Sequence, residues 1–371
     1  MLWIPGPTHV RPEILEECAR PAIGHRSAAM RELIARLDPG LEHAFGLEEG
    51  STSSVGAHSV SATSMMEASL HGVGPRVLCI VNGAFSGRWA KIAGILGKKV
   101  TKLELPWGQV VQQEQLQEVL ETEGPFDAVT VVASETSTGA ATCLSEVSEV
   151  TRQHGAPMLM TDLVSYIAAA RVDFDATGID FAFAGVQKAF ALPPGIAAFC
   201  VSERYEKAAR ELERRSFTLD PVLVLNGHRD RKTPATPCIP LYYALARQLE
   251  DITAGVTLPE ADRHLSGRDA WQARFDKHSR MQKLTFEWAD RHGLETFPAR
   301  RDGSPGVTCL RAGSLDVARL ISDLAEKDQL ISNGYGDLKG KTFRIGHMGD
   351  HTEAGLVELL EDADEAIARQ S

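Results

Sequence analysis

Through the first two hundred residues, short unbroken apolar runs alternate with stretches in which apolar residues fall three and four apart. The runs Arg76–Val81, Ala128–Ala133, Met158–Thr161, Phe181–Val186 and Ile196–Val201 predict strands buried on both faces. Helical spacing covers Arg11–Arg20, Ala28–Leu37, a segment starting near Ser64, and Arg88–Leu96. A small-residue segment, Ser51–Thr63, precedes the Ser64 helix, and Asn82-Gly83 marks a turn. Strands alternating with helices imply an α/β fold with a mostly parallel sheet covered on both faces. After Thr236-Pro-Cys-Ile-Pro240 the pattern changes. Helix-rich sequence runs from Leu241 to His292, shorter strands are expected near Val307–Leu310 and Thr342–Ile345, and an amphipathic helix closes the chain over Ala354–Ala368. This divides the chain into a large α/β domain, 16–245, and a smaller α+β domain, 246–371, which the N-terminal arm 1–15 joins.

Composition narrows the functional classes. The 371 residues are 43% hydrophobic and 24% charged, as in an ordinary globular protein. A net charge of −11 disfavours nucleic acid and anionic membranes as partners. The basic stretches Arg204–Arg215 and Arg229–Lys232 are short or interspersed with acids and read as solvated faces. No run is long enough to span a membrane, and the N-terminus lacks the charged and apolar regions of a signal peptide. The C-terminal Ala-Arg-Gln-Ser is no peroxisomal address. Six cysteines, at 18, 79, 143, 200, 238 and 309, form no C-x-x-C pair. They suit a reducing cytoplasm and provide no metal site.

Within this pattern Lys188 stands out, because Phe181-Ala-Phe-Ala-Gly-Val-Gln-Lys188-Ala-Phe-Ala-Leu-Pro-Pro-Gly195 surrounds it with apolar residues. Burial lowers a lysine's pKa, and a neutral amine condenses with aldehydes. Upstream, Pro157-Met-Leu-Met-Thr-Asp162 reads as a buried strand ending in a carboxylate. A lysine to hold an aldehyde and an aspartate to keep a pyridine nitrogen protonated are what pyridoxal phosphate requires. Separately, each residue also reads as a snorkelling lysine or a helix cap.

The ordered set Gly-Pro-Thr (6–8), Ser-Ala-Thr-Ser-Met-Met-Glu-Ala (61–68), Glu-Thr-Ser-Thr-Gly (135–139), Asp162, Gln-Lys (187–188), Thr-Pro-Ala-Thr-Pro (233–237) and Arg-Ile-Gly (344–346) resembles the class V, fold-type I aminotransferases over nearly the whole chain. The resemblance implies a pyridoxal 5′-phosphate enzyme with Lys188 as Schiff-base lysine and Asp162 as the pyridinium partner. It assigns the cofactor phosphate to Ser61, Ala62 and Thr63, just before a helix whose N-terminus favours anions. Phe85 falls where relatives stack an aromatic on the ring, often a tryptophan. Thr136 matches the contact to the ring oxygen, Val164 the apolar residue against the ring, and Gln187 a polar contact to the phosphate or ring oxygen. Thr233 matches a residue that reaches the neighbouring subunit's cofactor phosphate, which implies a homodimer with shared active sites. Arg344 matches the arginine that pairs with the substrate carboxylate, a planar fork meeting a planar anion.

For substrate the sequence offers two directions. Gly24-His25-Arg26-Ser27 opens a helix, where cations meet an unfavourable dipole unless an anion binds there. It resembles the His-Arg-Ser of phosphoserine aminotransferases. Arg344-Ile-Gly-His-Met-Gly349 instead resembles the alanine–glyoxylate and serine–glyoxylate branch. Alanine, serine or phosphoserine is therefore the expected donor, with glyoxylate, pyruvate or 2-oxoglutarate as acceptor. Lyases of the cysteine desulfurase type share the fold but commonly carry histidine where this chain has Gln187. They also need a cysteine on a mobile loop, and Cys309 lies in a strand-like context. Nucleotide enzymes fit less well. Gly72-Val-Gly74 lacks the third glycine of G-x-G-x-x-G, and Gly97-Lys98 has Ile92 where a phosphate loop needs glycine.

Overall fold

The computed structural model describes residues 1–213 and 216–370. Arg214 and Arg215, the end of one basic stretch, lie outside the described residues, as does Ser371.

The described residues form twelve strands: β1 (Ser54–His58), β2 (Arg76–Val81), β3 (Lys99–Glu104), β4 (Ala128–Val132), β5 (Ser134–Glu135), β6 (Ala140–Ala141), β7 (Met158–Asp162), β8 (Phe181–Gly185), β9 (Ala197–Val201), β10 (Val307–Arg311), β11 (Ser332–Asn333) and β12 (Thr342–Gly346). Seven form one sheet in the order β1-β9-β8-β7-β4-β2-β3. Neighbours from β8 to β3 pair in parallel, while β9 runs antiparallel to both of its neighbours. Strands β4, β8 and β9 are buried at every position, which explains their unbroken apolar runs. The register aligns Val132 with Asp162 and Asp162 with Phe183. The carboxyl ends of β4, β7 and β8 thus meet at one edge, where open α/β sheets gather their functional groups.

Two members of this sheet escape the sequence pattern. Strand β3, Lys-Val-Thr-Lys-Leu-Glu, lies at the sheet's edge and is partly exposed, so its polar positions hide it. Strand β1, Ser-Val-Gly-Ala-His, lies inside the small-residue segment and pairs antiparallel beside β9, with Gly56 opposite Phe199. A Cβ on Gly56 would stand 2.4 Å from the Phe199 ring. The expected helix near Ser64 begins earlier, at Ala62, with Ser61 as its cap accepting from the Ser64 amide at 3.1 Å. A further helix, Asp38–Phe45, lies just past the expected Ala28–Leu37 one.

The C-terminal part centres on a three-stranded antiparallel sheet, β10-β12-β11, covered by Gly267–Arg291 and Glu353–Ala368. Helix Ile239–Thr253 runs unbroken through position 245/246, where the apolar pattern places its division. The N-terminal arm packs with this part. Trp3 is buried in its core, donates its amide to Leu330 O at 2.8 Å, and accepts from Gly346 N at 2.7 Å. The arm then crosses to the lysine turn, where Thr8 N donates to Gln187 O at 3.0 Å. Beneath the turn, fully buried Arg274 pairs with Asp350 at 2.9 Å, and Arg11 holds the other oxygen of Asp350 at 2.7 Å. Among the described residues no helix is long and apolar enough to cross a membrane.

Candidate active site

A cavity opens at the carboxyl edge of the sheet. Its lining includes Ser61, Ala62 and Thr63 from the helix start, Phe85, Thr136, Asp162, Val164, Gln187 and Lys188. Residues predicted from 61 to 188 thus converge on one space, although up to 127 positions separate them in the chain (188 − 61).

Asp162 ends β7 and is 4% exposed. Its Oδ1 accepts from Val164 N at 2.8 Å. Burial pushes the carboxyl up to about 7, and the nearby Glu135 charge adds to this, while Lys188 and Arg88 oppose it. A cationic ring nitrogen placed against Asp162 would stabilise its ionised form.

Lys188 follows β8 on the turn that leads into β9, and is 9% exposed. Burial, assisted by the Arg344 charge, brings its amine down to about 8, against the opposing pull of Asp162 and Glu135. Its Nζ donates to Pro5 O. Gly6 lies over the lysine stem with φ +113°, and a Cβ there would approach Cδ at 2.4 Å and Nζ at 2.8 Å. Glycine is required at this position both by its backbone conformation and by the lysine beneath it. Thr8 Oγ1 completes the clasp by donating to Lys188 O at 2.9 Å.

Phe85 sits in the first turn of helix Ala84–Ile95. Its place is set by Glu135, a fully buried carboxylate that accepts from Phe85 N at 3.1 Å and Ser86 N at 3.0 Å. A carboxylate at a helix N-terminus complements the dipole, so Glu135 anchors the aromatic in the cavity wall. Thr136 Oγ1 shares a 2.8 Å hydrogen bond with Ser165 Oγ, another lining residue.

Arg344 lies on β12, mostly buried, and ties the C-terminal sheet to the cavity. Its Nη1 donates to Thr136 O at 3.1 Å, and Nε and Nη2 donate to Asn333 O at 3.1 and 3.0 Å. The Tyr335 ring lies 5.7 Å from its guanidinium and 5.8 Å from the Phe85 ring.

Four predicted residues are not part of the cavity lining, and of these Arg344 meets it through Thr136 O. Thr233 does not line the cavity, yet its Oγ1 is buried and without a hydrogen-bond partner among the described residues. His25 and Arg26 do not line it either. They precede helix Ala28–Ala35 on a loop where Arg26 is exposed. Conversely, sequence reasoning missed Arg88, Ser165 and the anchor Glu135. Arg88 stands three residues after Phe85, which on a helix means the same face, so the signal appears once the helix register is fixed.

The aminotransferase class V family model matches residues 56–280. Over 364 residues the chain is 32% identical to an uncharacterised aminotransferase of Methanocaldococcus jannaschii, across 97% of this chain and 90% of that protein. It is 27% identical over 380 residues to the serine–glyoxylate aminotransferase of Methylorubrum extorquens, across 99% of this chain and 90% of that one. The structure matches an aspartate aminotransferase of subgroup IV from Thermus thermophilus with a TM-score of 0.87, at 27% identity and 99% coverage of both chains. The fold is that of the pyridoxal 5′-phosphate-dependent fold-type I enzymes. The chain belongs to the class V aminotransferases.

The cavity's own chemistry suits this cofactor. A buried carboxylate, a lysine amine held near neutrality and a helix N-terminus share its lining, matching a basic ring nitrogen, an aldehyde and a phosphate respectively.

Proposed function

We propose that this aminotransferase moves the amino group of a small amino acid, alanine or serine, to a small 2-oxo acid of the glyoxylate type. The observation that carries the reading is Arg344, a buried guanidinium fixed to Thr136 O at the wall of the Lys188 cavity. It supplies the planar cation that an α-carboxylate needs beside the reacting amine. The serine–glyoxylate relative, similar along 99% of this chain, supports the choice of substrates.

Bound at Lys188, pyridoxal phosphate supplies the electron sink into which charge from the deprotonated substrate Cα delocalises. Lys188 would hold the cofactor aldehyde, and its amine is the group that would take up and return the Cα proton. An amine brought down to about 8 suits both tasks near neutral pH. Asp162 would hold the ring nitrogen protonated, Phe85 and Val164 would pack on the ring, and Thr136 and Gln187 would serve its polar groups. Ser61, Ala62 and Thr63 hold the phosphate, and Thr233 reaches the phosphate of a partner subunit. We further assign residues 16–245 to a cofactor-binding domain, and residues 246–371 with arm 1–15 to a domain that brings Arg344. The six free cysteines support a reducing cytoplasm as its setting.

Two other readings fit less well. Phosphoserine would use His25 and Arg26, which among the described residues have no hydrogen bond to a lining residue such as the one Arg344 makes to Thr136 O. A desulfurase would use Cys309, but that residue is buried on β10, where burial pushes its thiol up to about 11. The test is a panel of donors (alanine, serine, aspartate, phosphoserine) against glyoxylate, pyruvate and 2-oxoglutarate. Alanine or serine with glyoxylate should give the highest kcat/KM. Preference for phosphoserine with 2-oxoglutarate, abolished by Arg26→Ala, would overturn this assignment.

A further inference from the structure

We infer that Arg88 is the counter-charge for the cofactor phosphate, reaching it from helix Ala84–Ile95. The inference rests on the reading of Ser61–Thr63 as the phosphate turn. A phosphate monoester carries about −1.5 to −2 charges at neutral pH. The N-terminus of helix Ala62–His71 offers roughly half a positive charge. The cavity already holds the Asp162 carboxylate, and Glu135 is close enough to raise that carboxyl's pKa. A dianion entering such a space needs a full cation. Two basic side chains line the cavity, Lys188 and Arg88, and Lys188 is committed to the aldehyde.

Arg88 is placed for the remaining role. Its Nη1 donates to Thr63 Oγ1 at 3.3 Å, on the phosphate turn itself. Its guanidinium lies 4.8 Å from the centroid of the Phe85 ring, so the aromatic that faces the cofactor also supports the cation. Among the described residues the Thr63 contact is the one hydrogen bond the Arg88 side chain makes, and no carboxylate pairs with it. The result is a half-buried arginine with most of its donor fork free, in a protein of net charge −11. A guanidinium's fixed fork suits phosphate oxygens bidentately.

The test is cofactor binding rather than turnover. Apoenzyme is titrated with pyridoxal 5′-phosphate and, separately, with phosphate-free pyridoxal, following absorbance and tryptophan fluorescence. Arg88→Gln should raise the Kd for pyridoxal 5′-phosphate about 10- to 100-fold, the scale of a charged hydrogen bond, and leave the Kd for pyridoxal within about twofold. Arg88→Lys, which keeps the charge without the fork, should fall between. Equal weakening of both ligands would reduce Arg88 to a support for Phe85 and overturn the inference, as would no change in either. Failure of the wild-type protein to take the cofactor at Lys188 would instead sink the underlying site reading. Should Arg88→Gln not fold, wild-type apoenzyme answers the question. Phenylglyoxal should label Arg88, and inorganic phosphate as well as the cofactor should protect it. Unaltered labelling in the presence of both would count against the assignment.

Discussion

At the residue scale, Asp162 and Lys188 share one electrostatic problem, because each is buried and each is driven toward neutrality. For Lys188 the folded pKa, about 8, lies below the ordinary 10.5. The neutral, nucleophilic amine therefore grows as pH rises toward 8 and saturates above it. Cofactor capture by the apoenzyme should accelerate by up to about tenfold per pH unit below 8 and level off beyond, with stopped-flow absorbance as the readout. A rate that is flat between pH 6.5 and 9 would show that the environment of Lys188 does not govern capture. Asp162→Asn retains the shape but not the charge that, in the proposed role, would hold a ring proton. Its kcat should fall about 100- to 1000-fold, measured with the best donor–acceptor pair. Both residues were legible in the sequence because a charged side chain amid an apolar run is anomalous. Arg88 was not, since an arginine on an amphipathic helix looks like any solvated one until Phe85 and Thr63 are placed beside it.

At the scale of elements, strands β4, β7 and β8 were readable because burial on both faces leaves an unbroken apolar signature. The same logic fails at the sheet's margins. Strand β3 is partly exposed, and β1 is built from residues small enough to lie against Phe199. The contact between helix Gly267–Arg291 and the lysine turn was equally invisible. Arg274 reaches from that helix to donate to Ala189 O at 2.6 Å and Ala168 O at 3.2 Å, while pairing with buried Asp350. Burial raises the Asp350 carboxyl, but the Arg274 and Arg11 charges outweigh it and leave it below the ordinary range. Removing one member of a buried pair costs about 3–5 kcal/mol, because the survivor keeps its desolvation penalty. Arg274→Met should destabilise the protein by about 3 kcal/mol, at the lower end because Arg11 still holds Asp350 at 2.7 Å. Urea denaturation gives the measurement. A loss below about 1 kcal/mol would mean that the pair contributes little beyond an exposed one. The substitution should also slow cofactor capture, since the carbonyl next to Lys188 loses its donor.

At the scale of the whole molecule, the cavity lining of one chain lacks two residues of the proposed set, Arg344, which meets it through Thr136 O, and Thr233. The Thr233 hydroxyl is buried and has no hydrogen-bond partner among the described residues, in a loop that leads into helix Ile239–Thr253. A buried hydroxyl without a partner costs about 1–3 kcal/mol, so an acceptor supplied from outside the chain accounts for its retention. If that acceptor is the partner's cofactor phosphate, each active site takes Lys188 from one subunit and Thr233 from the other. The arrangement is isologous, as a two-fold dimer requires. Mixing Lys188→Ala chains with Thr233→Ala chains would then give heterodimers with one doubly altered site and one intact site. With free exchange about half the dimers are mixed, so activity at limiting cofactor should recover to about a quarter of the wild-type value per chain. Two inactive parents yielding an active mixture is an outcome that a site built within one chain cannot produce, because every site would then retain its own defect. Mass spectrometry of the mixture confirms exchange. Mixed dimers without recovered activity would return Thr233 to its own chain.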